Sequence, residues 1–397
     1  MTRKKRICHK GSMAALAVAM LLPSAYAYAS DDCVLHDASS PEREAHMTSG
    51  TWNTVYGWKG DGDIGGRSLR LDGVNAKEAY GAYADKGTSD GDSLIIGKDS
   101  HIRETAGVYG WTAVNGSHVE VDGYAWIVYG GKSDSFNKAD PGIYHPEYGA
   151  HDNTITIHGR AGIVYGGNAY QGNASGNNII VAEDGQVLDP AGEKDEPSTT
   201  PEMENRLIGG YASGSDADGN IVDIDGYVAG DIIGGLVWSQ NTLDADYHTH
   251  ITHASHNVVN INKGARFLQN RDFSVYGGAV KRQTNRACAN DNTINIYTSA
   301  PRAHLCGGYT ANDQEDFGRD DKGNVYDGNT LNVYGSGINV KETADFEKYH
   351  FIVPENYTGS EPLLNATVIR FGDKAKLSAD WRRFKGDPGS KVVLIAS

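Results

Sequence analysis

The sequence lacks any apolar run long enough to cross a membrane. Its clearest apolar stretch, Met13 to Leu22, falls well short of the roughly 18 residues a spanning helix needs. Heptads, long amphipathic helical stretches and a collagen period are also missing, which removes coiled coils, helical bundles and triple helices. There is no phosphate-binding glycine loop, no nucleophile elbow and no Cys/His pair at a recognisable spacing, so the common signatures of nucleotide and acyl-transfer enzymes are absent. Basic charge is scarce: 36 Lys+Arg stand against 51 Asp+Glu, a net charge of −15. Nucleic acid and anionic lipid are poor partners for such a chain, because long-range steering is repulsive.

What the chain does have is glycine and tyrosine, 50 and 22 residues, and a unit that recurs. Asn153 to Ala169 reads NTITIHGRAGIVYGGNA. Ile155 and Ile157 alternate with polar residues at a period of two, so they share one face of an extended chain. Ile163, Val164 and Tyr165 then run into Gly166-Gly167, where β-branched and aromatic residues favour a strand and paired glycines suit a backbone turn. The unit repeats from the openers Ser117, Asn153, Asn177, Asn220, Asn257, Asn292 and Asn329, each followed two and four residues later by an apolar pair such as Val222/Ile224 or Ile294/Ile296. Double-glycine halves answer most of them, at Gly130-Gly131, Gly166-Gly167, Gly209-Gly210, Gly234-Gly235, Gly277-Gly278 and Gly307-Gly308. Weaker copies at Leu69/Leu71 with Tyr80-Gly81, and at Leu94/Ile96 with Tyr109-Gly110, precede the series.

Strand units of this size cannot bury an apolar face alone and must stack. The expected fold is all-β: a single-stranded parallel β-helix, or β-solenoid, of about nine or ten coils with loop insertions and terminal caps. Ile155, Val222, Val259 and Ile294 should share one dry axis. The recurring asparagines should form a ladder at one corner, and Tyr109, Tyr129, Tyr165 and Tyr276 an aromatic column at another. Residues 30–66, with Trp52, Tyr56 and Trp58, are expected to cap the first rung. Repeats should span 67–335, with insertions near 132–151, 189–205, 239–256 and 310–328. Closing rungs should fill 336–397, where no translocator barrel is seen.

The N-terminus carries an address. Arg3, Lys4, Lys5, Arg6 and Lys10 precede the Met13–Leu22 run, and small-x-small sites place cleavage after Ala27 or Ala29; residues 1–29 are expected to be a secretory signal peptide. Its removal leaves 31 Lys+Arg against 51 Asp+Glu, a net charge of −20. In an oxidising compartment Cys288 and Cys306, which flank one repeat strand, are candidates for a disulfide, with Cys33 left over.

Three clusters have chemical character. Asp223 and Asp225 alternate outward on one strand, a spacing that suits the acid and base of a glycosidase. The adjacent outward positions, however, are Asn260 and Asn262 on one side and Ile180 and Ala182 on the other, without a Lys, Arg or His in register. His248, His250, His253 and His256 have spacings that can converge on a divalent metal such as zinc, the one cofactor suggested. Asp216, Asp218 and Asn220 faintly resemble a calcium loop but lack a ligand at the twelfth position.

The alternation of Asn-Thr-apolar-x-apolar with apolar-Tyr-Gly-Gly-x-Ala, over about residues 67–335, resembles the passenger repeats of bacterial autotransporter and adhesin-like proteins. That resemblance implies a β-helix rod exported and displayed at the outer-membrane surface for adhesion. Its partners would be a translocator and a host or neighbouring-cell glycan or protein. The rival readings are a β-helix polysaccharide lyase or glycoside hydrolase, and a structural envelope component that associates end to end.

Overall fold

In a computed structural model, the structure describes residues 30–134, 148–170, 172–188, 205–213, 215–238, 252–281, 287–310, 327–386 and 390–397. The described residues contain no helix, and hence none long and apolar enough to cross a membrane. The strands pair in parallel, each with its counterpart in the next coil, and the molecule is a parallel β-helix. A representative coil runs Ala113–Asn115, His118–Val121 and Tyr124–Ser133, and these three strands lie in three different sheets. We refer to these as the third, short and long faces.

The short face contains the repeat's apolar pairs, stacked in one register from Glu44–Met47 to Lys376–Asp380: Val119 on Ile155, then Ile179, Val222, Val259, Ile294 and Leu331. Ile155, Val222, Val259 and Ile294 are fully buried in one core with Val128, Val164 and Leu207 of the long face, as the period of two requires. Twelve strands make up this sheet, more than the nine or ten coils expected. The surplus lies where Ala45/Met47, Tyr349/Phe351 and Leu377/Ala379 take the Ile/Val positions. At about 4.8 Å per step the rungs span about 50 Å. The supposed N-terminal cap is itself the first rung, because Glu44–Met47 and Gly50–Gly60 pair in register with the coil that follows. Trp58 is fully buried in its core.

Each coil turns its corner in the same way. The residue before every opener has left-handed backbone: Gly116 (φ 61°), Asp152 (56°), Gly176 (69°), Gly219 (65°), His256 (58°), Asp291 (55°) and Gly328 (77°). Glycine adopts this without steric cost, and Asp and His are among the side chains that tolerate it.

Behind the corner the openers form the expected ladder. Asn177 Oδ1 accepts the backbone N–H and the side-chain amide of Asn153 at 3.1 and 2.9 Å. The same pair of bonds recurs from Asn177 to Asn220, Asn257, Asn292 and Asn329 in turn. The remaining amide hydrogens of Asn177 and Asn220 reach the third-face carbonyls of Ala150 and Ala174, both at 3.0 Å. All six asparagines from Asn153 to Asn329 are fully buried, which is tolerable because the amides are paired.

The double glycines do not turn the chain. They lie within long-face strands such as Arg160–Ala169 and have no left-handed backbone. Their role is close approach: a Cβ on Gly209 would overlap the Gly234 carbonyl oxygen and lie 2.9 Å from Asn220 Cβ, and one on Gly210 would lie 2.5 Å from Asn220 Nδ2. The asparagine ladder therefore stands against bare backbone. Beyond it a second, narrower core lies beside the main axis: Val114, Ala150, Ala174, Ala217 and Ala254 pack with Ala169, Ala212, Val237 and Val280. The residue two places after the double glycine fills this lobe at Ala169, Ala212, Val237 and Val280.

The rungs regain their register beyond the insertions, with one bulge at Asn205/Leu207 where the chain rejoins the long face after residues 189–204. Tyr165 pairs with Tyr129 across residues 135–147, Leu207 with Val164 across 189–204, Tyr276 with Ile233 across 239–251, and Cys306 with Tyr276 across 282–286. The first and third insertions are tighter than expected, since Gly149–His151 and Thr252–His253 are strands of the rod.

Candidate functional site

Alternation on the short face sends Asp223 and Asp225 outward, but adjoining coils consume both. Asn260 Nδ2 donates to Asp223 Oδ1, and Asn262 Nδ2 to Asp225 Oδ2 at 3.0 Å. The first of these bonds begins an outer amide ladder, as Asn295 donates to Asn260 (2.6 Å) and Asn332 to Asn295 (2.7 Å). An acid and a base need carboxylates that face a substrate, whereas Asp223 caps a row of amides and Asp225 accepts from Asn262.

His248 and His250 lie outside the described residues. His253 is half-buried on the third face, where its backbone N–H donates to Asp216 Oδ1 at 2.8 Å. His256 occupies the left-handed corner, exposed, with Nε2 3.8 Å from Asp291 Oδ2. Among the described residues no group of three His, Cys, Asp or Glu side chains is placed to hold a metal. Asp216, Asp218 and Asn220 are likewise taken up between coils: Asn220 by the buried ladder, and Asp218 by the Ser255 N–H at 2.6 Å. Burial raises the Asp218 carboxyl to about 7 despite that hydrogen bond.

The disulfide between Cys288 and Cys306 is not formed. Cys306 is a free thiol, buried in the tyrosine column of the long face, and it donates to Asp345 Oδ2 (3.1 Å) and Gly308 O (3.0 Å). Cys288 stands on the third face in the strand Ala287–Cys288. Burial pushes the Cys306 thiol well above its ordinary range, and the Asp345 carboxyl rises with it, so this is a packed thiol without nucleophilic character.

The tyrosine column lies on the outer side of the long face. Tyr129 stacks on Tyr165 with ring centroids 5.0 Å apart, and Tyr56 on Tyr80 at 5.6 Å. Tyr276 keeps the same column, but Tyr109 does not. It pairs with Tyr83 and Lys132 one column over, and Ala106-Gly107 takes the place expected of Tyr109-Gly110. Lys59 lies 3.8 Å over the Tyr56 ring and Lys132 4.8 Å over Tyr129, while Lys132 also pairs with Glu104 at 2.8 Å. These cations and rings satisfy one another.

One concave site was not anticipated from sequence. Where the outer amide ladder ends, Tyr334, His350, Ile352, Asp380, Arg382 and Arg383 line a cleft of about 490 Å³. Tyr334 and Ile352 are stacked rungs of one column, and Tyr334 lies flat on Tyr297 with centroids 4.1 Å apart. Arg382 forks onto Asp380, with Nε to Oδ1 at 2.9 Å and Nη2 to Oδ2 at 2.6 Å, and this holds the Asp380 carboxyl well below the usual carboxylate range. His350 Nδ1 meets Ser378 Oγ at 2.8 Å. The available signal was the outward Tyr297, Tyr334 and Ile352 at one repeat position, followed by Asp380-Trp381-Arg382-Arg383; neither feature resembles a motif.

The chain matches no protein-family model, no curated protein and no solved structure.

Proposed function

We propose that this chain is a secreted or surface-displayed binding rod, a passenger of the autotransporter type whose insertions contact a glycan or protein on a host or neighbouring cell. The observation that carries this reading is the return of the rungs to the same pairing after insertions of unequal length, with a single-residue bulge at Asn205/Leu207. A scaffold whose rungs resume the same pairing on either side of each insertion keeps the insertion points at fixed spacing, which is what a multivalent contact surface requires. The basic, apolar and small-residue order of residues 1–29 supports export. The engagement of Asp223 and Asp225 by Asn260 and Asn262 weighs against a hydrolase on that face.

The test is a binding screen on glycan and matrix-protein arrays with the purified chain and with variants in which residues 135–147, 189–204 or 239–251 are replaced by short Gly/Ser links. Retained folding with loss of one ligand on trimming one loop is the expected result. Depolymerisation of a polysaccharide, with array binding indifferent to every loop, would overturn the reading in favour of a lyase or hydrolase.

A further inference from the structure

We propose that the cleft between Tyr334 and Arg383 is a binding site for an anionic saccharide, one or two sugar units bearing a carboxylate or sulfate. This rests on reading the rod as a binding scaffold and names a ligand class and a place for it. Three observations converge. The cleft, at about 490 Å³, is within the range of small-ligand sites. One wall is apolar and flat, with Tyr334 backed by Tyr297 and flanked by Ile352, the kind of surface on which the C–H face of a pyranose packs. The opposite side offers polar groups of both signs: Asp380 held in place by Arg382, His350 with its Nδ1 engaged by Ser378, and Arg383. Among the described residues Arg383 is exposed and has no ion-pair partner, and an unengaged guanidinium is a fork for a carboxylate or sulfate.

The surrounding charge favours the same class. Although the chain is −15 overall, the last rungs are rich in Lys and Arg. Arg370, Lys376 and Lys385 are paired with Glu342, Glu347 and Glu355, and Arg382 with Asp380, so Arg383 is the cation left over at the cleft. An anion is drawn to Arg383 and repelled by the acidic rungs elsewhere. A short anionic oligosaccharide confined to these rungs fits the pattern, while an extended polyanion such as nucleic acid would run onto acidic rungs.

The experiment is calorimetric titration of the whole purified chain with trigalacturonate, a heparin-derived hexasaccharide, neutral cellohexaose and single-stranded DNA. Trigalacturonate or the heparin fragment should bind and cellohexaose should not. Arg383→Gln and Tyr334→Ala should each weaken binding about tenfold, the scale of one charge-assisted contact. Tyr334→Phe, which keeps the ring and the fold, should stay within about twofold, as should Lys98→Gln on a distant turn. A carboxylated or sulfated preference with this variant pattern supports the site and tells the two sources apart. Equal binding of cellohexaose, tighter binding of DNA, or anionic binding indifferent to Arg383 would overturn it. Loss of the cleft's binding with array binding intact sinks this proposal alone, whereas absence of array binding sinks the scaffold reading.

Discussion

At the scale of single residues, most side chains that looked like chemistry serve the seam between coils, and Asp218 is the clearest case. Its carboxyl, raised by burial to about 7, ionises near 4 in an unfolded chain. Between those values the folded state holds a proton that the unfolded state has released, so stability falls as pH rises through the window and levels off above about 7. Asp218→Asn keeps an acceptor for the Ser255 N–H and removes the titration. Thermal unfolding at pH 4, 5.5 and 8 should give nearly equal midpoints for the two proteins at the lowest pH and a growing advantage for the variant above it. A constant difference across the series would place the titrating group elsewhere. In sequence, Asp216-x-Asp218-x-Asn220 departs from a calcium loop only in its missing twelfth ligand, because acids that bind cations and acids that accept backbone N–H groups are the same residue types. His256 carried a similar ambiguity: it stands where Gly, Asp and His alternate from coil to coil, and the requirement there is left-handed backbone.

At the scale of the element, the alternation of Ile, Val and Leu made the short face legible down to its register, since a slip of one residue would turn every aliphatic side chain outward. The long face was only half legible. In sequence a double glycine suits a turn, whereas here it lets the strand lie against the buried asparagines. Sequence alone cannot separate a glycine needed for its φ from one needed for its missing Cβ. Two substitutions distinguish them here. Gly209→Ala places a methyl against the Gly234 carbonyl and Asn220 Cβ, and should cost roughly 3 kcal/mol in urea unfolding. Gly219→Asp fills a left-handed corner with open space around it, a corner type that Asp152 and Asp291 already occupy, and should cost about 1 kcal/mol or less. Equal losses at the two sites would mean that conformation, not space, explains both.

At the scale of the whole molecule, the rod is uneven along its length. Rungs from Asn153 to Asn329 are joined by a dry ladder of amides as well as by backbone pairing, and their inward aliphatics are fully buried. That ladder stops at Asn329, and in the last rungs Val368, Phe371, Leu377 and Trp381 are each 39–49% exposed. The same rungs carry the cleft. Repeat arrays distribute stability rung by rung, so a rung with little buried surface opens at lower cost than one whose inward side chains are fully buried. Native-state hydrogen exchange should therefore find the amides of Lys376–Asp380 exchanging at least ~100-fold faster than those of Thr293–Ile296, with protection rising inward from rung to rung. Trigalacturonate held between Tyr334 and Arg383 should slow the outer amides selectively, because it ties the column of Tyr334 and Ile352 to the segment Asp380–Arg383. Uniform protection along the rod would instead make the solenoid a single cooperative unit and remove the basis for assigning a looser, ligand-responsive end.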